Sequence, residues 1–274
     1  MKKICAWIVK YLTLIIFAIL ILFPVYVVAV GSFKSEFEMY NNIFGLPESW
    51  GLENYITAFE SGQMAVYFKN SLFVTALSVV LLILLSSMTA FALSRLHLRG
   101  RSWIYKLFVI GIAVPTQVGI IQLALLMSKL QLTNSLLGLV LVYVAYELPF
   151  SVFVFYGYMQ SLPWEIQEAA IVDGCNLWRL YWQVAMPLSK NAIATVLIFD
   201  MVTVWNDMLF PLMLISKEKL RTLPFGLLQF RGQYSSQYTV IFAGVILITI
   251  PLIVLYLTMQ KQFVSGMTQG AVKG

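Results

Sequence analysis

Long apolar stretches alternate with shorter polar segments along the whole chain. Six of the apolar stretches are about 20 to 26 residues long, the length that an α-helix needs to cross the hydrocarbon core of a bilayer. They cover residues 11–30, 68–93, 103–127, 136–159, 192–215 and 240–260, each to within a few residues. The pattern predicts an all-α membrane protein with six transmembrane helices, in a single transmembrane domain over residues 1–274.

The basic residues predict how these helices are oriented across the membrane, because loops on the cytoplasmic side carry an excess of lysine and arginine. Three lysines precede the first span and three arginines lie within 95–101, so both segments are predicted to be cytoplasmic. Counting spans from there places both termini and the polar segment 160–190 in the cytoplasm, and the loops 32–67 and 216–239 outside. The second external loop carries four basic residues, which opposes the bias. We keep this orientation because early spans usually dominate.

Composition excludes several other classes of protein. With 60% hydrophobic residues, 11% charged residues and a mean hydropathy of +0.85, the chain is too apolar for a soluble domain of 274 residues. Its net charge of +6 comes mostly from short loops between spans, so it indicates topology and not nucleic-acid binding. The sequence contains no phosphate-binding loop, nucleophile elbow or histidine-based metal pattern, which favours transport over catalysis or ATP binding by this chain.

The polar segment before the fifth span contains signals for two short helices joined by a glycine. Ser161 is predicted to cap the first helix, Pro163 suits its first turn, and Gly174 suits the left-handed turn that ends it. One face of this helix is small and mostly apolar and has acids on its flank, as close docking against another protein requires. The face consists of Ile166, Ala169, Ala170 and Asp173, and the flanking acids are Glu165 and Glu168. Asn176 is predicted to cap the second helix, which Pro187 ends or kinks.

Three acidic residues lie inside predicted spans, where ionisable groups are costly and usually serve a function. Helical spacing arranges them in two polar stripes that are candidates for lining a transport pathway. The stripes are Tyr143, Tyr146 and Glu147 in the fourth span, and Asp200, Thr203 and Asp207 beside Asn206 in the fifth. Two interpretations remain open, a wet pathway or hydrogen bonding to neighbouring helices, and the second is favoured for Glu147. A proton-coupled carrier also uses buried acids, so it is kept as the alternative function.

The docking helix has a recognisable sequence spacing. Glu168-Ala169-Ala170 is followed after three residues by Gly174, and after nine more by a hydrophobic residue shortly before Pro187. This spacing resembles the cytoplasmic EAA loop in permease subunits of ATP-binding-cassette importers. Val184 and Met186 stand where that family prefers isoleucine and leucine, a mild departure that affects packing after the docking helix.

Other stretches extend the resemblance along nearly the whole chain, and they are similar to the carbohydrate-uptake branch of the family. They are Leu52–Tyr55, Ala90–Arg95 with Gly100, Trp205–Asp207, Thr222–Leu227 and the ending Phe263–Gly274. The resemblance implies the six-helix permease fold of type I importers, known as MetI-like, and a place in the bacterial cell membrane. The implied function is half of the translocation pathway of an ATP-driven, binding-protein-dependent sugar importer that works by alternating access.

The resemblance also implies partners and residue roles. The partners are a second permease subunit in a heterodimer, two cytoplasmic ATPase subunits that bind ATP and Mg, an extracytoplasmic sugar-binding protein and membrane lipid. No cofactor is expected on this chain. The implied ATPase-coupling residues are Glu165, Glu168, Ala169, Ala170, Asp173 and Gly174. The tail residues Gly266, Gln269, Gly270 and Lys273 are expected to reach the ATPase interface, with a frayed end as the other interpretation. The loop 216–239 is expected to contact the sugar-binding protein, and a non-transporting membrane scaffold is a second alternative function.

Overall fold

The computed structural model of the chain describes residues 2–61, 63–96, 98–231 and 237–271, with side chains described within 7–60, 63–96, 98–231 and 237–260. Every regular element within these ranges is helical, which confirms the all-α prediction. The α-helices are α1 (Lys2–Gly31), α2 (Glu36–Asn41), α3 (Glu53–Ser61), α4 (Met64–Arg95), α5 (Arg101–Ile112), α6 (Ile120–Lys129), α7 (Leu136–Ser161), α8 (Trp164–Val172), α9 (Leu177–Arg179), α10 (Met186–Leu188), α11 (Lys190–Asn206), α12 (Leu209–Leu214), α13 (Leu223–Gly226) and α14 (Tyr238–Ala271). A π-helix at Leu180–Ala185 joins α9 to α10, and short 3-10 turns occupy Glu218–Leu220 and Leu227–Phe230.

Four helices in the described part of the chain are long and apolar enough to cross a membrane. They are Trp7–Gly31, Met64–Arg95, Leu136–Ser161 and Tyr238–Gln260, which coincide with four of the six predicted spans. A fifth candidate is the pair Leu177–Leu188 and Lys190–Asn206, which is bent by 73° at Ser189. The helix that was predicted to end or kink at Pro187 ends one residue later, at Leu188, directly before this bend.

The third and fifth predicted spans each contain a break. In the third, α5 ends at Ile112 and α6 begins at Ile120, so the helix is interrupted around Pro115, a residue that cannot continue the helical hydrogen bonding. In the fifth, α11 ends at Asn206 and α12 begins at Leu209. Neither stretch is one continuous helix, and the break in the fifth span corrects the uninterrupted helix expected there.

Chain contacts divide the molecule into two units, Met1–Ala65 with Gly226–Ile250, and Val66–Phe225 with Pro251–Gly274. In the first unit, Lys34 is 1% exposed, and its ammonium group donates hydrogen bonds to the carbonyl oxygens of Asn42 at 2.6 Å and Ile43 at 3.1 Å. The Asn54 amide donates to the carbonyls of Ser32 and Lys34. The predicted external loop 32–67 is therefore a folded element around Lys34.

A capping box begins α2 in this loop. The backbone N–H of Ser35 donates to the Glu38 carboxylate at 2.7 Å, and the Ser35 hydroxyl accepts from the Glu38 N–H at 3.2 Å. The backbone N–H of Glu48 donates to the second Glu38 oxygen at 2.7 Å. Hydrogen bonds from Ser35 and Glu48 stabilise the charged form and lower the pKa of the Glu38 carboxyl below its ordinary value.

In the second unit, α7 packs against α5 on one side and α11 on another. A Cβ atom at Gly111 of α5 would lie 3.1 Å from the Pro149 ring of α7, so the absence of a side chain permits this close crossing. A separate buried cluster joins α4, α7, the π-helix and α11. Its members are Ala90, Phe91, Phe155, Met159, Leu180, Tyr181, Ala185, Ala192 and Val196.

Arg95 differs from the other two arginines that were assigned to a cytoplasmic loop. It is the last residue of α4 and only 8% exposed, whereas Arg99 and Arg101 are exposed. Counting Arg95 as a loop charge is therefore wrong, and its buried contacts bear on the function of the neighbouring helix α8.

Candidate functional site

Helix α8 is the predicted docking helix, and the structure confirms how it ends. The N–H of Cys175 donates to the Ala170 carbonyl at 2.9 Å and that of Gly174 donates to the Ile171 carbonyl at 3.0 Å. These two bonds form a Schellman motif, and Gly174 adopts the left-handed backbone that the motif requires, with φ of +80°. The expected glycine stop is therefore present at the predicted residue.

The beginning of α8 differs from the prediction. Ser161 is the last residue of α7, and its hydroxyl donates to the Tyr158 carbonyl at 2.7 Å. Pro163 precedes the first residue of α8 with an extended backbone, and no side chain caps the helix there. The assignment of Ser161 as the cap is wrong because the hydroxyl bonds back into its own helix, a common alternative for serine.

One side of α8 contacts the rest of the chain and the other is exposed. Gln167 is 4% exposed, and the half-buried Ala170 packs against the buried cluster that joins α4, α7, the π-helix and α11. The remaining residues of the predicted face and its acidic flank are exposed: Glu165, Ile166, Glu168, Ala169 and Asp173. Ile171 is 53% exposed and Val172 is 85% exposed. The helix therefore presents a surface of apolar and acidic residues that could bury further area against another protein.

The second helix of this segment connects α8 to the interior. The Asn176 side chain accepts a hydrogen bond from the Arg179 N–H at 2.9 Å, which confirms the predicted cap. The π-helix that follows carries Tyr181, which is buried and shares a hydrogen bond of 2.7 Å with the Ser87 hydroxyl of α4. Because α8 also contacts the π-helix, this segment connects α8 to α4 and α11 through a continuous chain of contacts.

The polar stripe predicted in the fifth span is interrupted at Asp207. This residue lies beyond the end of α11 in an extended conformation, so it does not continue the stripe of Asp200 and Thr203. Its carboxylate accepts hydrogen bonds from the N–H groups of Leu209 at 3.1 Å and Phe210 at 3.0 Å, in the manner of a helix cap. It also accepts from the Tyr143 hydroxyl at 2.8 Å. The structure thus joins the two predicted stripes through Tyr143 and Asp207.

Asp200 is completely buried and has a partner that sequence reasoning missed. The Ser151 hydroxyl lies 2.8 Å from Asp200 Oδ2 and 3.1 Å from the Glu147 carbonyl, and its single proton can serve one of them at a time. Asp200 Oδ1 has no hydrogen-bond partner among the described residues. The position of Ser151, four residues after Glu147 on α7, was the available signal.

The other predicted pathway residues are distributed between the interior and the surface. Tyr143 is 1% exposed, while Glu147 and Thr203 are half-buried. Thr203 donates to the Phe199 carbonyl at 3.0 Å, within its own helix. Asn206 is exposed, and its amide donates to the Val202 carbonyl at 3.0 Å. A role of these side chains in lining a pathway stays a prediction.

Residues 216–225 form a third region, which is held at two places by residues of the second unit. Asn134 accepts hydrogen bonds from the N–H groups of Ser216 at 2.7 Å and Lys217 at 2.9 Å. The Asn70 amide of α4 donates to the carbonyls of Lys219 and Arg221, both at 2.9 Å. Between these anchors, Lys217, Glu218 and Lys219 are exposed. The segment is therefore a held loop that presents a polar, partly basic surface.

The predicted tail contacts lie beyond the side chains that the structure describes. Gly266, Gln269 and Gly270 belong to the backbone of α14, and Lys273 lies outside the described residues. Their predicted role at an ATPase interface stays a prediction.

The described part of the chain has only helices as regular elements, several of them long and apolar, and an exposed, glycine-capped helix between two of these. These are the features of a multi-pass membrane transport component. Residues 82–269 match the family described as "Binding-protein-dependent transport system inner membrane component". The chain belongs to this family, whose members are membrane transport subunits and not enzymes.

Individual proteins agree with this assignment. The chain is 34% identical over 260 residues to a probable starch degradation products transport system permease protein, AmyC, of Thermoanaerobacterium thermosulfurigenes, covering 94% of each protein. It is 32% identical over 261 residues to an arabinooligosaccharides transport system permease protein, AraQ, of Halalkalibacterium halodurans, covering 94% of this chain and 93% of AraQ. Its fold is similar to a chain of a bacterial ABC transporter involved in importing the acidic polysaccharide alginate, with a TM-score of 0.85 at 24% identity over 96% of this chain and 98% of the other.

Proposed function

We propose that this chain is a permease subunit of an ATP-driven, binding-protein-dependent importer of sugars, with oligosaccharides as the substrate class. The single observation that carries the proposal is the exposed, glycine-capped helix α8 on a chain related along most of its length to oligosaccharide permeases. The resemblance of its sequence to an EAA loop supports ATP as the energy source. The proton-coupled carrier has no comparable support, because the family transports with binding proteins.

In this proposal, the chain forms half of a translocation pathway with a second permease subunit. Two ATPase subunits hold ATP and Mg, and the exposed surface of α8 binds a groove on one of them. A helix can transmit the closure of the ATPase pair only if its contacts differ between open and closed states. The connection from α8 through Tyr181 to Ser87 gives such contacts a route into α4.

The held loop 216–225 is proposed to contact the extracytoplasmic sugar-binding protein. A loop anchored by Asn134 and Asn70 loses little conformational entropy on binding, which favours its use as a docking surface. Exposed Lys217 and Lys219 then explain the basic residues that oppose the topology rule, since charge on a binding surface steers association.

Reconstitution tests the function directly. The complex of this chain, its partner permease, the ATPase and the sugar-binding protein is placed in proteoliposomes and offered maltotriose, arabinotriose, an alginate trisaccharide or glucose. We expect ATP hydrolysis to rise and uptake to occur with at least one trisaccharide and to require the sugar-binding protein. Uptake that persists without ATP or without the sugar-binding protein would contradict the proposal.

Changing the two exposed lysines is expected to weaken association with the sugar-binding protein. The double variant Lys217→Glu with Lys219→Glu should raise the concentration of sugar-binding protein needed for half-maximal ATPase stimulation by about tenfold at low salt, mainly through slower association. The maximal rate should be unchanged because neither side chain lies near α8 or the buried cluster. The control is Lys129→Glu, which changes an exposed lysine outside the loop. An unchanged half-maximal concentration in the double variant would remove the loop from the binding surface.

A further inference from the structure

The side chain of Arg95 meets the joint between α7 and α8. Its Nη2 atom donates hydrogen bonds to the carbonyl oxygens of Met159 and, at 3.0 Å, Leu162. Leu162 is the residue that terminates α7, and only Pro163 separates it from α8. The guanidinium also lies over the indole ring of Trp164, the first residue of α8, 5.5 Å from the ring centroid. One side chain of α4 therefore contacts the helix on both sides of the joint.

These contacts use properties that are specific to arginine. The last carbonyls of a helix carry partial negative charge, which favours a cation at that position. A planar guanidinium can donate to two carbonyls and lie over an aromatic ring at the same time, whereas a lysine ammonium group offers a point charge. Arg95 Nε is buried and has no hydrogen-bond partner among the described residues, so part of the cost of burying this charge is not offset by hydrogen bonding.

Membrane topology does not account for Arg95. Arg99 and Arg101 lie on the same short connection, are exposed, and can provide the positive charge of a cytoplasmic loop. A buried arginine is not required for packing either, since replacing buried charges by well-packed apolar residues is often neutral for stability. Because the guanidinium contacts the end of α7 and the start of α8, it can hold the angle between these two helices. It also attaches both helices to the end of α4.

We propose that Arg95 is a positioning residue for energy coupling, which holds the start of α8 on α4 so that movements of α8 reach the transmembrane helices. The inference rests on the proposed function, because it assumes that α8 binds the ATPase and transmits its movements to the transmembrane helices. With Arg95 in place, α8 and α4 move together when α8 is displaced. Without it, Leu162 and Pro163 act as a loose connection, and movements of the ATPase are absorbed there.

The proposal predicts uncoupling and not loss of the complex. In the complete reconstituted importer, supplied with the trisaccharide that gives the strongest stimulation, Arg95→Met should raise the number of ATP molecules hydrolysed per sugar transported. The expected rise is at least about tenfold, the factor that corresponds to losing a hydrogen bond to a charged group. Arg95→Lys, which keeps the charge but not the planar contacts, should give an intermediate ratio. Arg99→Met, an exposed arginine on the same connection, should keep the wild-type ratio.

A distance measurement tests the positioning without using transport. Spin labels are placed on cysteines introduced at two exposed positions, Ile171 of α8 and Leu85 of α4, after Cys5 and Cys175 are replaced by serine. The distance distribution between the labels is measured in the pair of permease subunits without the ATPase, because Ile171 lies on the proposed docking surface. It should be narrow with Arg95 and broader in Arg95→Met and Arg95→Lys. Arg99→Met should leave its width unchanged.

The outcomes separate this inference from the proposed function. If the wild-type complex shows no sugar-stimulated ATP hydrolysis, the proposed function fails, while the distance measurement still reports whether Arg95 holds α8. If the wild type transports and the Arg95 variants keep both its ATP-to-sugar ratio and its distance width, the positioning role is overturned. A proportional fall in hydrolysis and uptake at constant ratio also overturns it, because that is the signature of a smaller folded fraction. Should Arg95→Met fail to assemble, Arg95→Lys decides by the same two measurements.

Discussion

Replacing Gly174 by valine is expected to reduce coupled uptake strongly while the complex still assembles. Gly174 has φ of +80°, and a left-handed backbone costs an L-residue about 1–2 kcal/mol, more for a β-branched one. A Cβ atom at Gly174 would meet nothing within 4 Å, so the effect arises from the backbone and not from a clash. The backbone at residue 174 is expected to leave the left-handed region in the variant, which breaks the two Schellman hydrogen bonds from residues 174 and 175. As a result, the orientation of α8 relative to α9 should change.

The expected size follows from this cost. Sugar-stimulated ATP hydrolysis and uptake should both fall by about tenfold or more in Gly174→Val, since each 1.4 kcal/mol corresponds to a factor of ten. Adding Glu168→Ala, which removes an exposed carboxylate from the docking surface, should abolish the remainder. Retention of full stimulation and uptake by the double variant would show that this helix does not couple ATP hydrolysis to transport.

Two matched variants separate backbone strain from the mere presence of a side chain. Gly174→Asn should keep most of the activity, because asparagine tolerates the left-handed conformation. Gly157→Val adds the same side chain to an exposed glycine within α7, where a Cβ atom also meets nothing within 4 Å and φ is helical. It should behave like the wild type. Loss of activity in Gly157→Val would show that added bulk, and not the backbone of Gly174, explains the result.

Helix ends fixed by backbone chemistry were predictable from the sequence. Gly174 and Asn176 each act through their own backbone or through a side-chain bond three residues away, so the local sequence contains the information. Ser161 failed as a predicted cap because its hydroxyl had a second local acceptor, the Tyr158 carbonyl. A serine near a helix boundary can bond in either direction, and the choice depends on where the chain turns.

Contacts between distant helices were not predictable in the same way. The buried position of Arg95 depends on α7 ending beside the end of α4. The sequence pattern alone therefore predicts the same loop position for Arg95 as for Arg99. The pair of Ser151 and Asp200 likewise needs the packing of α7 against α11. Hydrophobic length predicted the long helices well, but it did not predict the break at Asp207, because the residues on both sides of Asn206 and Asp207 are apolar enough for a span.

That break leads to a second large effect, the loss of stability in Asp207→Ala. The Asp207 carboxylate accepts from the N–H groups of Leu209 and Phe210 and from the Tyr143 hydroxyl. Removing a helix-capping side chain costs about 0.5–2 kcal/mol, and leaving the 1%-exposed Tyr143 with an unpaired hydroxyl adds about 1–3 kcal/mol. The purified complex should therefore inactivate on heating at a clearly lower temperature than the wild type.

The Tyr143 hydroxyl provides the decisive comparison. Tyr143→Phe removes that hydroxyl without leaving a buried donor unpaired, so the double variant Tyr143→Phe with Asp207→Ala should be more stable than Asp207→Ala alone. Tyr143→Phe alone should be less stable than the wild type, and additive effects cannot produce these two results together. Asn206→Ala, which truncates the adjacent exposed residue, should match the wild type. If Asp207→Ala also matches the wild type, or the double variant is the least stable of all, then the bond from Tyr143 to Asp207 does not hold α7 to the broken helix.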